Sequence, residues 1–277
     1  MRIRDVVLQN DIAVGNAGTW TFPINLVDPV TEFKFWFRVR NDATGPNNNP
    51  QLPYLVAEVA VIDGSEVIQS MNCAQAIATY AFDHDEFPLF WLGDYAHNWQ
   101  YVSIPLTFGR TLVDQEYIFD PTRFRNPQLR IQWDIAALAA VGANSFEDES
   151  CHISVWAKVM EEGATPRGYF MTKELEEFIT ALTGDHITYL PTDFNIRKVY
   201  VRDYIHGGIM CDAITHLKIS QDEDKWIPVD LTSDMFVFLM HNWFPEYATH
   251  GRGQSDDNET REHYLGEYVH GKVCGGE

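Results

Sequence analysis

Two acidic runs are the first places in this 277-residue chain where chemistry could sit: Asp83-His84-Asp85-Glu86 and Asp222-Glu223-Asp224. Their hard carboxylate oxygens suit calcium. Consecutive side chains of extended chain point opposite ways, however, so such runs seldom close round one ion. Both are read as solvated acidic loops, and no metal is assigned. The histidines form no His-x-His pair, and His206, His216 and His241 stand apart among unrelated neighbours, so they are read as structural. Cys73, Cys151, Cys211 and Cys274 are far apart with no C-x-x-C spacing. That pattern argues against a zinc site or a disulfide framework and for free buried thiols. No G-x-S-x-G, H-E-x-x-H, phosphate loop or G-x-G-x-x-G after a strand is present, and Gly207-Gly208 and Cys274-Gly275-Gly276 are isolated. Asn258-Glu259-Thr260 has the spacing of a glycosylation acceptor but follows no signal peptide, and is read as chance. The expectation is no catalytic residue and no cofactor.

The remaining chemical feature is aromatic. Residues 83–99, DHDEFPLFWLGDYAHNW, run from acid into Phe87, Leu89, Phe90, Trp91, Leu92, Tyr95 and Trp99. Aromatic side chains are enriched at the cores of protein interfaces, and together these present more apolar area than a soluble monomer leaves uncovered. A mini-core folded back on its own domain is the competing reading. His84 and His97 flank the segment, and with Trp91, Tyr95 and Trp99 they would also suit a sugar-binding surface. Trp36 is a further interface candidate, because it interrupts the polar face of an otherwise alternating strand.

The elements that must position these groups are mostly strands. Phe33, Phe35, Phe37 and Val39 alternate with Lys34, Trp36, Arg38 and Arg40, which is the period of a half-buried strand. Leu129, Ile131 and Trp133 repeat the pattern, as do Ile153, Val155, Ala157 and Val159. Residues 55–62 run through Asp63-Gly64 into 66–69, a hairpin signal. Residues 101–104 read as a strand ended by Pro105, which has no N–H to donate. Residues 112–119 read as a short helical turn, 41–53 as a polar loop, and 73–81 as a strand with no cap before it. Thr172 is read as the cap of a helix over 173–182, ended by Gly184. Further strands are expected at 187–190, 196–204, 214–220 and 226–228, with 230–240 either a capped helix or a buried strand. Residues 248–277 are polar and Gly-rich and read as a tail.

The net charge is −20 and the hydrophobic content 45%. This is a globular composition whose acid repels phosphate backbones, so direct nucleic-acid binding is not expected. No run approaches the ~20 apolar residues of a membrane span. The N-terminus lacks the apolar stretch of a signal peptide, which points to synthesis in a cytoplasm.

The order strand, compact linker ending in Asn126-Pro127-Gln128-Leu129, amphipathic strand resembles the double jelly-roll major capsid proteins of tailless icosahedral viruses, the adenovirus hexon-like lineage. Pro191-Thr-Asp-Phe-Asn-Ile-Arg-Lys-Val-Tyr-Val-Arg202 resembles the first strand of that family's second barrel, and the segment near 170 sits where the family joins its barrels. The resemblance implies an all-β fold of two tandem antiparallel jelly-roll sandwiches: a first barrel over 1–162, a linker with a short helix over 163–185, a second barrel over 186–247 and the tail over 248–277. The second barrel shows less β signal than eight strands need, so its completeness stays open. The implied function is structural, with homotrimers tiling an icosahedral shell. The implied partners are neighbouring capsomers, minor capsid proteins or an internal membrane, in a virion made in the host cytoplasm. A lectin-like or glycan-active β-sandwich is the alternative.

Overall fold

A computed structural model describes residues 1–42, 52–84, 86–91, 95–135, 146–178, 184–201, 214–236, 239, 250–254 and 260–264. The chain divides into two compact units, residues 1–173 with 249–265 and residues 174–248 with 266–277. The first contains two facing antiparallel sheets built from β1 (Arg2–Val14), β2 (Ala17–Pro23), β3 (Val30–Arg40), β4 (Val56–Asp63), β5 (Glu66–Met71), β6 (Phe90–Trp91), β7 (Trp99–Thr107), β8 (Pro127–Asp134) and β9 (Cys151–Glu162). One sheet has the order β1-β9-β3-β7-β6 and the other β2-β8-β4-β5. The chain changes sheet between β1 and β2, β2 and β3, β3 and β4, β5 and β6, β7 and β8, and β8 and β9. With β6 set aside, four strands interleave with four, which is the jelly-roll arrangement.

Alternation drives the packing. Phe33, Phe35, Phe37 and Val39 of β3 are fully buried, as are Val59 and Val61 of β4, Leu129 and Ile131 of β8, and Ile153, Val155 and Ala157 of β9. Phe33 meets Phe108 edge-on at 5.7 Å, and Phe108 stacks on Phe119 at 4.9 Å. Each such side chain contributes about 1.5–3 kcal/mol by leaving water. At the side where the sheets meet, Gln69 Nε2 of β5 donates to the Thr107 carbonyl of β7 at 3.0 Å. The all-β, antiparallel reading of the sequence holds.

Several local expectations change. Residues 73–81 are not a strand but most of helix α1 (Cys73–His84). A cap does precede them: Gln75 N donates to Asn72 Oδ1 at 2.9 Å and Asn72 N donates to Gln75 Oε1 at 2.8 Å, the reciprocal capping box. Pro105 does not end its strand, because β7 continues to Thr107 with Pro105 opposite Lys34. Ser103 N donates away from β3, to the Leu89 carbonyl at 2.8 Å. The position two residues on faces the same open side, so a proline there costs no ladder bond. The third change is β1, which alternation misses because its register with β9 shifts between Val7 and Gln9 and again between Gln9 and Ile12. Asp11 sits there at φ 51.

The fourth is the helix over 173–182. Thr172 gives its carbonyl to Ser70 N at 3.0 Å, Lys173 bridges Ser70 in parallel, and 174–178 are not helical; 179–182 lie outside the described residues. Residues 164–173 instead form a strap over the barrel. Ile118 N donates to the Gly168 carbonyl at 2.8 Å and Phe170 N to the Phe108 carbonyl at 2.8 Å, while Phe170 stacks on Tyr117 at 4.9 Å. In the loop beneath, 112–119 form turns rather than a helix.

In the second unit, β10 (His216–Gln221) pairs with β11 (Trp226–Thr232) as an antiparallel hairpin. Residues 233–236 begin a helical turn. Residues 187–190 and 196–201 are not strands; 202–204 lie outside the described residues. Ile187, Tyr189 and Phe194 are exposed. Residues 249–265, grouped with the first unit, contain a further hairpin that joins β12 (His250–Gln254) to β13 (Thr260–Tyr264), inside the stretch read as a tail.

Candidate interaction surface

Two of the aromatic residues singled out in the sequence, Trp36 and Trp91, lie in one row on the outer face of the five-stranded sheet. Trp36 of β3 points away from the core, between Tyr101 of β7 at 5.4 Å and Trp156 of β9 at 5.6 Å. Tyr101 in turn stacks on Trp91 of β6 at 6.3 Å, and Val7 of β1 lies opposite Trp156. The row crosses all five strands. Its ends are the most open, with Trp91 51% and Val7 54% exposed, while Tyr101, Trp36 and Trp156 are half-buried against one another. The Trp36 indole N–H is enclosed with no hydrogen-bond partner among the described residues.

The segment 83–99 is divided between several environments. Phe87 is half-buried and Leu89 is exposed. Phe90 and Trp91 pair with Val102 and Tyr101 through the backbone. Leu92 and Asp85 lie outside the described residues. Tyr95 is exposed, and its carbonyl accepts from Asn41 Nδ2 at 3.1 Å. Trp99 is half-buried under the Arg38 guanidinium, 4.5 Å from its ring, and meets His152 edge-on at 5.4 Å. Arg38 Nη2 donates to Asp11 Oδ1 at 2.6 Å, and His152 Nδ1 lies 3.0 Å from the same oxygen. The bulge of β1 therefore brings its carboxylate over two neighbouring strands.

The described histidines and acidic residues named from the sequence make packing and ion-pair contacts. Among the described residues no group of three or more His, Cys, Asp or Glu is arranged to hold a metal. His84 packs its ring on Tyr80 at 4.6 Å, His97 Nδ1 lies 3.7 Å from Glu147, and His216 Nε2 lies 2.9 Å from Asp230. Lys218 Nζ meets Asp224 at 2.8 Å inside the acidic turn Asp222–Asp224. Cys73 and Cys151 are buried, and burial pushes the Cys151 thiol up to about 12. His206, His241, Cys211, Cys274 and Asn258 lie outside the described residues.

Tyr101 and Trp156, which join Trp36 and Trp91 into one row, are absent from the sequence-level candidates. Tyr101 is two residues from Trp99 and alternates with the buried Val102, and that parity is the signal that could have found it.

No protein-family model matches the chain, and no curated protein matches it. Among solved structures it is similar to the STIV major capsid protein, with 11% identity and a TM-score of 0.44 over 58% of this chain and 49% of that one. It is also similar to PBCV-1 VP54 fitted into a reconstruction of the virophage Sputnik, with 15% identity and a TM-score of 0.40 over 57% and 41%. A quasi-atomic model of the PBCV-1 virus capsid gives 15% and 0.37 over the same shares. The matched region spans half or less of those proteins, and these structural neighbours are viral major capsid proteins.

Proposed function

We propose that the chain is a structural subunit of a virus shell, a capsid protein without catalytic activity that associates with copies of itself. The observation that carries this reading is the row Trp91, Tyr101, Trp36, Trp156 on the outside of a barrel whose interior is already filled by its own side chains. A filled interior directs function to the surface, and an exposed apolar row on a sheet face favours association. The finer proposal is a homotrimer whose copies repeat one heterologous contact round a threefold axis. Such trimers would tile an icosahedral facet beside neighbouring capsomers, with minor capsid proteins or an internal membrane as further partners. The subunit would be made in the host cytoplasm, and its acidic surface would keep it off nucleic acid.

Leu89→Ala with Trp91→Ala tests the contact, since both side chains are more than half exposed and their loss leaves the core intact. Light scattering of the purified double variant is expected to show a monomer where the parent is an oligomer, with unchanged β-type circular dichroism. An oligomer of the parent's size would remove this face from the interface. The lectin-like alternative needs flat, open rings, whereas Trp36 is tilted 55° to Tyr101 and 41° to Trp156. A saturable glycan titration abolished by Trp91→Ala would revive it.

A further inference from the structure

Glu32 is the least expected residue of the outer sheet face. It alternates with the core phenylalanines of β3, so parity turns it outward, yet it is only 2% exposed. Its strand neighbours are Thr107 on β7 and Lys158 on β9. Lys34 Nζ stands 3.4 Å from Glu32 Oε1, and that oxygen has no hydrogen bond. Lys34 itself leans over the Tyr80 ring of α1, 5.9 Å from its centre. Lys158 Nζ donates to Asp5 Oδ1 of β1 at 3.0 Å. The charged and titratable groups facing Glu32 are thus Lys34 from its own strand, Lys158 from β9, Asp5 from β1 and Tyr80 from α1, with Glu86 beyond Tyr80.

We propose that Glu32 is a buried proton-binding site on the outer sheet face, whose protonation contributes stability to the barrel as the medium acidifies. The buried carboxylate is poorly compensated. Lys158 is shared with Asp5, and Lys34 reaches it without a good hydrogen bond. Taking a proton from water converts an under-paired buried ion into a neutral acid. Neither lysine is stranded by that step, because Lys158 keeps Asp5 and Lys34 is partly exposed to solvent.

Burial pushes the Glu32 carboxyl above its ordinary value of 4.5, against the opposing pull of Lys34 and Lys158. The folded state therefore binds this proton at a pH where the unfolded chain has released it. The contribution is fully present below 4.5 and is lost as pH rises through the raised folded value. That is opposite in sign to ordinary acid denaturation of paired carboxylates.

The experiment is thermal unfolding of the full chain from pH 8 to pH 4.5, with sizing at each pH to hold the oligomeric state constant. Glu32→Gln keeps the shape and removes the titration. It is expected to melt about 2–4 °C above the parent at pH 8, with the gap closing toward pH 4.5. A parent that melts higher than Glu32→Gln at pH 8, or a gap that is the same at every pH, overturns the proposal. Lys34→Met provides an independent arm. It removes a compensating cation, so its melting temperature must rise more steeply on acidification than the parent's; an equal slope also overturns the proposal.

Discussion

Asp114 shows how one acidic side chain can hold a loop. Nearly fully buried, it accepts hydrogen bonds from the backbone N–H of Arg110, Glu116 and Tyr117 at 3.0–3.1 Å, and from Arg110 Nε at 2.6 Å. Gly109 completes the turn, since a Cβ there would overlap the Tyr117 carbonyl and stand 2.8 Å from Asp114 Cβ. The Arg110 hydrogen bond, with the backbone donors, holds the Asp114 carboxyl well below its ordinary 3.8. A depressed acid contributes stability above its unfolded value and loses it as pH falls through the folded one. Asp114→Ala is expected to cost roughly 1.5–3 kcal/mol at neutral pH. In denaturant titrations the deficit should shrink below pH 3.8, where the parent begins to lose the same contribution. A deficit that stays constant to pH 2 would place its origin in lost packing instead. None of this was visible in the sequence, where Leu112, Val113 and Tyr117 suggested a helical turn. An acid that organises a loop through backbone donors leaves no periodic trace.

Among the elements, strands with strict alternation were readable and those with shifted register were not. β3, β8 and β9 each repeat an inward apolar set without interruption. The bulges of β1 move its apolar residues from one face to the other partway along, so no single period fits. Helix α1 was misread because an Asn–Gln capping box is a weaker signal than Ser/Thr with Glu. Its Ala-rich face is nonetheless consistent with close packing against β7. Asn72→Ala removes the cap and is expected to lower stability by about 1 kcal/mol, with faster hydrogen exchange confined to the first turn of α1. Unchanged exchange there would mean that packing alone fixes the helix start. Residues 173–182 were read as a helix for a related reason. Leu175, Phe178, Ile179 and Leu182 have helical spacing, but the backbone at Thr172 is already committed to β5. The candidate surface was half legible. Trp36 stood out by interrupting a polar strand face and Trp91 as a member of an aromatic cluster, whereas strand pairing places Tyr101 and Trp156 beside them.

For the whole molecule, the contrast is between a barrel that buries its apolar side chains and a second unit that leaves many in water. Tyr189 is 89% exposed and Phe194 66%. The disassembled Leu89→Ala, Trp91→Ala variant is expected to be cut by chymotrypsin at these two sites before any site in residues 1–173. The assembled parent should be cut there more slowly, because association would cover part of this unit. Cleavage of the barrel first, or equal rates in both proteins, would show that the second unit is protected by other means. The net charge of −20 fits a subunit that must remain dispersed at high concentration until specific contacts form.

The proline at position 105 bears on how copies can grow. A strand approaching the outer edge of β7 would meet a pyrrolidine ring where a donor is needed, and α1 packs against that strand. The edge of β5 is engaged by the strap at Ser70, and β1 is kinked at Asp11. Main-chain zippering of barrel onto barrel, the route to cross-β fibrils, is therefore obstructed at three of the four sheet margins. Copies are left to meet through side chains on their faces, where contacts are geometrically specific and can close into a finite object rather than a filament.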